Sequence, residues 1–141
     1  MKTITAARLA ELQREAVQKP RRRTNYNLHE QLNDPIQRLC IIGEPETVFP
    51  PHRHLGKWEM VSILKGRLTL YIYNEKGEVT EQCEMSPGGE TLVTEIPADT
   101  WHNYIFHEPG TAFLEVKHGP YAPFTPEELA PFPGMKPEIP S

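Results

Sequence analysis

His52, His54, Glu59 and His102 are the residues of this chain whose types and spacing suit chemistry. Three imidazoles and one carboxylate are a common ligand set for a catalytic divalent metal. On an extended strand His52 and His54 point to one face, because side chains alternate with period two. The Leu55-Gly56-Lys57 bend lets the next strand bring Glu59 back toward them. A neighbouring strand, entered through Pro97-Ala98-Asp99-Thr100-Trp101, supplies His102. The expected cofactor is one divalent ion: Fe, Mn, Zn, Ni or Co. Four protein ligands leave open positions on a five- or six-coordinate ion. Such a position activates water or polarises a substrate carbonyl or hydroxyl, and on iron it also binds dioxygen. His107 and His118 read as surface or hydrogen-bonded histidines, and no catalytic residue is assigned.

A second stretch runs from Arg21 to His29. If it is extended, Arg21, Arg23, Asn25, Asn27 and His29 share a face made only of polar and basic groups. That face suits a carboxylate or phosphate, so Arg21, Arg23, Asn25 and His29 are candidate substrate contacts. A solvated basic linker is the equal alternative. Lys117 joins the candidates: an inward Lys117 or Glu115 near a metal has a shifted pKa and can serve acid–base chemistry, whereas an exposed pair serves none. Tyr71 and Tyr73 read as core residues. Trp58 and Trp101 suit outer packing.

These residues need elements to hold them. Thr5 to Gln18 reads as an amphipathic helix with a stripe of Leu9, Leu12, Ala16 and Val17, capped by Thr3 or Thr5 and stopped by Pro20. From Ile36 onward, short β-prone runs alternate with Gly and Pro turns. The expected strands are Ile36 to Ile42, Trp58 to Leu64, Leu68 to Tyr73, Glu78 to Met85, Thr91 to Ile96, Trp101 to Phe106 and Thr111 to Lys117. Thr47 to His54 holds two prolines, so an edge or irregular strand is expected there. Seven of the 15 prolines lie from Pro120 onward, a tail in which Thr125-Pro126-Glu127-Glu128 starts a short helix. The aromatics Tyr121, Phe124 and Phe132 suggest that this tail packs on the body. The expected organisation is a single all-β domain: an N-terminal helix over 1–20, a barrel over 21–119 and the Pro-rich tail over 120–141.

With 141 residues the chain suffices for one core. A net charge of -4 argues against general nucleic-acid binding. No apolar run approaches the ~20 residues of a membrane span, and the N-terminus lacks a signal-peptide pattern. Cys40 and Cys83 fit no metal or redox spacing and read as buried thiols, so the cytoplasm is the expected location.

The ligand pattern resembles the cupin superfamily. Its first motif reads as His52, His54, Glu59 and Gly66, with Gly43 as a leading glycine at a longer spacing than usual. Its second reads as Gly89, Pro97 and His102, with Asp99 where a glycine is common and Phe106 where an asparagine is common. The resemblance implies a cupin jelly-roll barrel with the metal inside one end, and a homodimer formed by pairing sheet edges. Arg21-Arg22-Arg23-Thr24-Asn25, Lys57-Trp58-Glu59, Leu64-Lys65-Gly66-Arg67-Leu68 and Glu115-Val116-Lys117-His118-Gly119-Pro120-Tyr121 further resemble the WbuC family of cupin-fold metalloproteins, associated with bacterial surface-polysaccharide gene clusters. Three functions follow as expectations. The first is a metalloenzyme, such as an isomerase, epimerase or hydrolase, acting on a small anionic or sugar-derived substrate. The second is an Fe(II)-dependent dioxygenase. The third is a non-catalytic small-ligand binding module. A purely structural zinc is disfavoured, because such sites are closed and cysteine-rich.

Overall fold

The computed structural model describes residues 1–138; Ile139, Pro140 and Ser141, at the end of the expected 120–141 tail, lie outside the described residues. Thr5 turns extended chain into helix: its hydroxyl accepts the Arg8 N–H at 3.0 Å, which satisfies one of the orphan donors of the first turn. The helix α1 spans Ala6–Gln18 and buries Leu9, Leu12 and Ala16. Leu9 and Leu12 pack on Cys40, Ile42 and Ala112, with Tyr26 and Leu64 alongside. The helix therefore covers the outer face of a sheet, and Pro20 follows its last turn.

Eight strands follow: β1 Arg23–Asn27, β2 Ile36–Gly43, β3 Glu59–Lys65, β4 Leu68–Tyr73, β5 Val79–Met85, β6 Val93–Ile96, β7 Trp101–Phe106 and β8 Thr111–His118. They form a five-stranded sheet in the order β1-β2-β8-β3-β6 and a three-stranded sheet in the order β5-β4-β7. Every ladder is antiparallel. The jelly-roll class expected from the sequence is present, with one correction: the two sheets make a sandwich, not a closed barrel. Between β5 and the β6 side, the hydrogen-bonded link is a single bridge from Met85 to Thr91. Ser86-Pro87-Gly88-Gly89 turns the chain there before a ladder can form.

The two sheets are held by packing. Phe49, Val61, Ile63, Leu68, Leu70, Met85, Ile96, Tyr104, Phe106 and Phe113 form the core between them. Truncating a buried phenylalanine such as Phe113 costs ~3–5 kcal/mol. Gly66 of the first motif adopts φ 76°, and a Cβ there would lie 2.8 Å from Thr111 Cα. Both facts exclude an ordinary side chain where β3 turns into β4.

Pro50 and Pro51 prevent Thr47 to His54 from forming a ladder. The segment runs irregularly across the end of the sandwich, and His52 alone makes bridges, to His102 and Leu129. The tail forms one 3-10 turn, Pro126–Glu128, whose Glu128 carboxylate accepts the Thr125 N–H at 3.0 Å.

Candidate metal centre

His52 and His102 are locked together by their own backbones: His52 N–H donates to the His102 carbonyl at 3.0 Å, and His102 N–H returns to the His52 carbonyl at 2.9 Å. Their side chains are then fixed by a second pair of bonds. Nδ1 of His52 donates to the Pro50 carbonyl at 2.9 Å, and Nδ1 of His102 donates to the Thr100 carbonyl at 2.8 Å. With the proton on Nδ1, each ring carries its lone pair on Nε2, the atom free to bind a metal.

The remaining two ligands arrive through turns. Gly56 takes φ 70° at the bend and Asp99 takes φ 62°. Asp99 is the residue that replaces the glycine common in the cupin motif. Aspartate is among the few side chains that tolerate the left-handed region, and here its carboxylate accepts the Gly56 N–H at 2.8 Å. Asp99 N–H in turn donates to the His54 carbonyl at 3.0 Å. The departure from the motif thus ties the loop carrying His54 to the loop carrying His102. Glu59 opens β3 opposite Ile96 and Lys117, and its side chain enters the sandwich.

One candidate ligand atom from each of His52, His54, Glu59 and His102 lies within 4.8 Å of the others. His54 Nε2 is 3.1 Å from Glu59 Oε2, and His102 Nε2 is 2.5 Å from Glu59 Oε1. These approaches lack hydrogen-bond alignment: His54 Nε2, His102 Nε2 and Glu59 Oε2 are buried without a partner. Each such orphan costs ~1–3 kcal/mol. Imidazole lone pairs facing a carboxylate repel unless a cation stands between them, so this donor set fits a divalent ion.

Electrostatics agree. Burial, followed by the neighbouring His102, pushes the His52 pKa down to about 3, which keeps it in the neutral, ligating form. Burial opposes the charge on Glu59, but the neighbouring His102 and the Glu115 carboxyl outweigh it and hold that carboxyl well below its usual range. Glu115 behaves oppositely: burial first, then the charge of Glu59, raise it well above the usual range. Lys117 Nζ stands 3.8 Å from Glu115, at the same end of the sheet as Glu59. The Tyr104 hydroxyl donates to Glu59 Oε1 at 3.1 Å.

The other predicted contacts are dispersed. Arg23 pairs with Gly43, six positions along β2 from Gln37, the partner of Lys117. At ~3.3 Å per residue that places it ~20 Å from the ligand end. Its guanidinium donates to Thr47 Oγ1 and to the Val48 carbonyl, both at 3.0 Å, and lies 4.5 Å from the Phe49 ring centroid. Asn25 is exposed and donates to Asn27. Arg21 is exposed as well, and its carbonyl accepts from Thr47 Oγ1. His29 is buried, with Nδ1 accepting the Arg38 N–H at 2.9 Å. The four ligand candidates come together with Lys117 nearby; Arg21, Arg23 and Asn25 do not join them.

Two residues of the centre escaped the sequence reading. Tyr104 follows His102 by two positions on the same strand, so period-two alternation alone places both on one face. Phe124 packs, tilted, against the His52 ring at 4.8 Å and the His54 ring at 5.8 Å between centroids, and no local pattern connects residues so far apart in the chain.

The family described as "Domain of unknown function (DUF6016)" matches residues 4–85, more than half of the chain, and the chain belongs to it. The matched stretch holds His52, His54 and Glu59. No curated protein sequence matches the chain. Among solved structures, KdgF from Halomonas sp. is similar over 72% of this chain and 82% of its own, at 16% identity and TM-score 0.56. TT1209 from Thermus thermophilus is similar over 84% and 97%, at 17% identity and TM-score 0.59. A sugar phosphate isomerase of the cupin superfamily from Silicibacter pomeroyi is similar over 70% and 60%, at 20% identity and TM-score 0.51. At these identities the likeness shows a shared cupin fold.

Proposed function

We infer that this member of the DUF6016 family is a cupin metalloenzyme that acts on a small anionic or sugar-derived molecule. The observation that carries the reading is the convergence of unpartnered His54 Nε2, His102 Nε2 and Glu59 Oε2 in a buried cluster completed by His52. His52, His54, Glu59 and His102 hold one divalent ion, which acts as a Lewis acid toward a substrate oxygen when bound. Three neutral imidazoles and one carboxylate leave one positive charge on a divalent centre, which favours an anionic ligand. Tyr104 orients Glu59. Burial and the charge of Glu59 favour the protonated form of Glu115, which would serve as a proton carrier beside Glu59, with Lys117 Nζ 3.8 Å away.

Isomerisation or epimerisation is the reaction class this arrangement serves best, because it needs a polarised oxygen and a nearby proton carrier and no second substrate. The WbuC-like segments add surface-polysaccharide metabolism as the setting. Two thiols without a disulfide accord with a reducing cytoplasm, and no helix is long and apolar enough to cross a membrane among the described residues. Exposed Val79, Leu92 and Val93 on and beside β5 and β6 favour a homodimer through those edges; a monomer in light scattering at micromolar concentration overturns that part.

The test is elemental analysis of protein purified without a chelating tag, beside His52→Ala. Near-stoichiometric metal that disappears in the variant supports the reading, and its identity separates Lewis-acid chemistry on zinc or manganese from oxygen chemistry on iron. Absence of metal from both after reconstitution leaves a ligand-binding sandwich.

A further inference from the structure

Solvent reaches the ligand cluster unevenly. Glu59 and His102 are each 1% exposed and His52 is 8% exposed, while the His54 side chain retains 13%. The cluster is therefore open along its His54 and His52 edge, the two rings on which Phe124 rests. Phe124 is itself 44% exposed, so one part of its ring meets the histidines and another meets solvent. A cavity of about 270 Å³ opens elsewhere, between β5 and β6; none of the four ligand residues lines it, and Ile72 and Ile96 stand on its wall.

The segment that carries Phe124 is fixed on both sides. Tyr121 N–H donates to the Leu32 carbonyl at 2.7 Å, Arg53 N–H donates to the Glu128 carbonyl at 3.0 Å, and Ala130 N–H donates to the Pro51 carbonyl at 3.0 Å. Arg53 Nε adds a bond to the Glu127 carbonyl at 2.9 Å. Between these anchors, Pro123 and Pro126 limit the backbone around Phe124. Leu129 bridges His52 through its backbone, and Leu55 follows His54; each residue is 41% exposed. The open edge of the cluster is thus lined by Phe124 on fixed backbone, with exposed leucines at Leu129, bridged to His52, and at Leu55, next in the chain to His54. Exposed apolar groups gathered beside convergent polar ones mark a ligand-binding surface.

We propose that Phe124, flanked by Leu55 and Leu129, determines specificity at this centre by seating the ring of a ring-bearing carboxylic acid whose carboxylate and adjacent oxygen reach the ion. The inference rests on the metal reading above. The chemistry fits a hydroxy acid carrying an aromatic ring and equally a cyclic sugar acid, whose C–H face packs on an aromatic side chain; the experiment distinguishes these sources.

Full-length protein is loaded with Co(II), whose visible bands report ligand exchange at the ion, and is titrated with glycolate, mandelate and glucuronate. Mandelate is glycolate bearing a phenyl ring, and glucuronate offers a sugar ring. At least one of the two binds tenfold or more tighter than glycolate to the unaltered protein. Phe124→Ala reduces that advantage over glycolate to within twofold, and Phe124→Tyr retains it. A preference for mandelate alone assigns an aromatic acid; a preference for glucuronate alone assigns a sugar acid. Cobalt bands with no ring preference, with no response to any of the acids, or with a preference that survives in Phe124→Ala, overturn the inference and leave the metal reading standing. Failure of the bands to form in either protein overturns both.

Discussion

The two ends of the sandwich treat buried polar groups in opposite ways. At the end near Gly43, each one is matched. Arg23 donates to Thr47 and Val48, Glu44 accepts the Gly110 N–H at 2.6 Å, and Thr111 Oγ1 donates to the Glu108 carbonyl at 2.7 Å. At the other end, three atoms of the His–Glu cluster are buried without a partner. A fold that can satisfy an arginine and a glutamate at one end has the means to satisfy a glutamate at the other. The contrast teaches that the ligand end is arranged for something outside the chain, while the Gly43 end serves stability.

The sharpest way to break this contrast is Glu59→Gln. An amide can donate to the imidazole nitrogens that the carboxylate only faces, so the variant loses more than tenfold in metal content by elemental analysis. Its metal-free form melts at the same temperature as the metal-free parent or higher. A metal-free form that melts lower would show that Glu59 serves stability after all. Next in size is the tie between the ligand loops. Asp99→Ala loses the bond to Gly56 and strains a left-handed backbone, lowering metal affinity about tenfold in a competition titration. Asp99→Gly keeps the backbone comfortable and loses less; equal losses in the two variants would assign the whole effect to the carboxylate.

At the opposite end, Arg23→Ala lowers unfolding free energy by about 1–3 kcal/mol in urea denaturation and leaves metal content untouched. A fall in metal content would remove the distinction between the ends. The smallest effect concerns pH in the metal-free protein. The folded His52 pKa of about 3 lies below the unfolded value of ~6.5, so the unfolded chain binds the extra proton between them. Stability is complete above ~6.5 and falls as pH drops toward 3. Melting at pH 4.5 should occur at least ~4 °C below melting at pH 7.5, with His52→Ala reducing the difference.

What could be read from the sequence follows the range of the physics involved. Local rules were enough for α1, whose cap and stop lie within a turn of its ends; they also grouped His52 with His54, though the segment carrying both runs irregularly and is not the extended strand that alternation assumed. They were enough for most strands, since Leu68–Tyr73 and Trp101–Phe106 declare themselves by β-prone runs between turns. Long-range pairing was not legible. The polar face of Arg21 to His29 depends for its meaning on which end of β2 it meets, and the register of Arg23 with Gly43 is written in no local pattern. Closure of the sandwich likewise turned on whether β5 and β6 pair. Phe124 reaches its place only because residues 121 and 127–130 find partners near residues 32 and 51–53.

That last arrangement bears on how the protein is made. Chains emerge from the ribosome N-terminus first, so His102 is available before Tyr121, Phe124 and Glu128. The full set of ligands exists in a nascent chain whose covering segment has not yet been synthesised. Glu59 is held by the pairing of β3 with β8 at Thr111–His118, so the strand that completes the centre and the segment that covers it follow each other directly in synthesis.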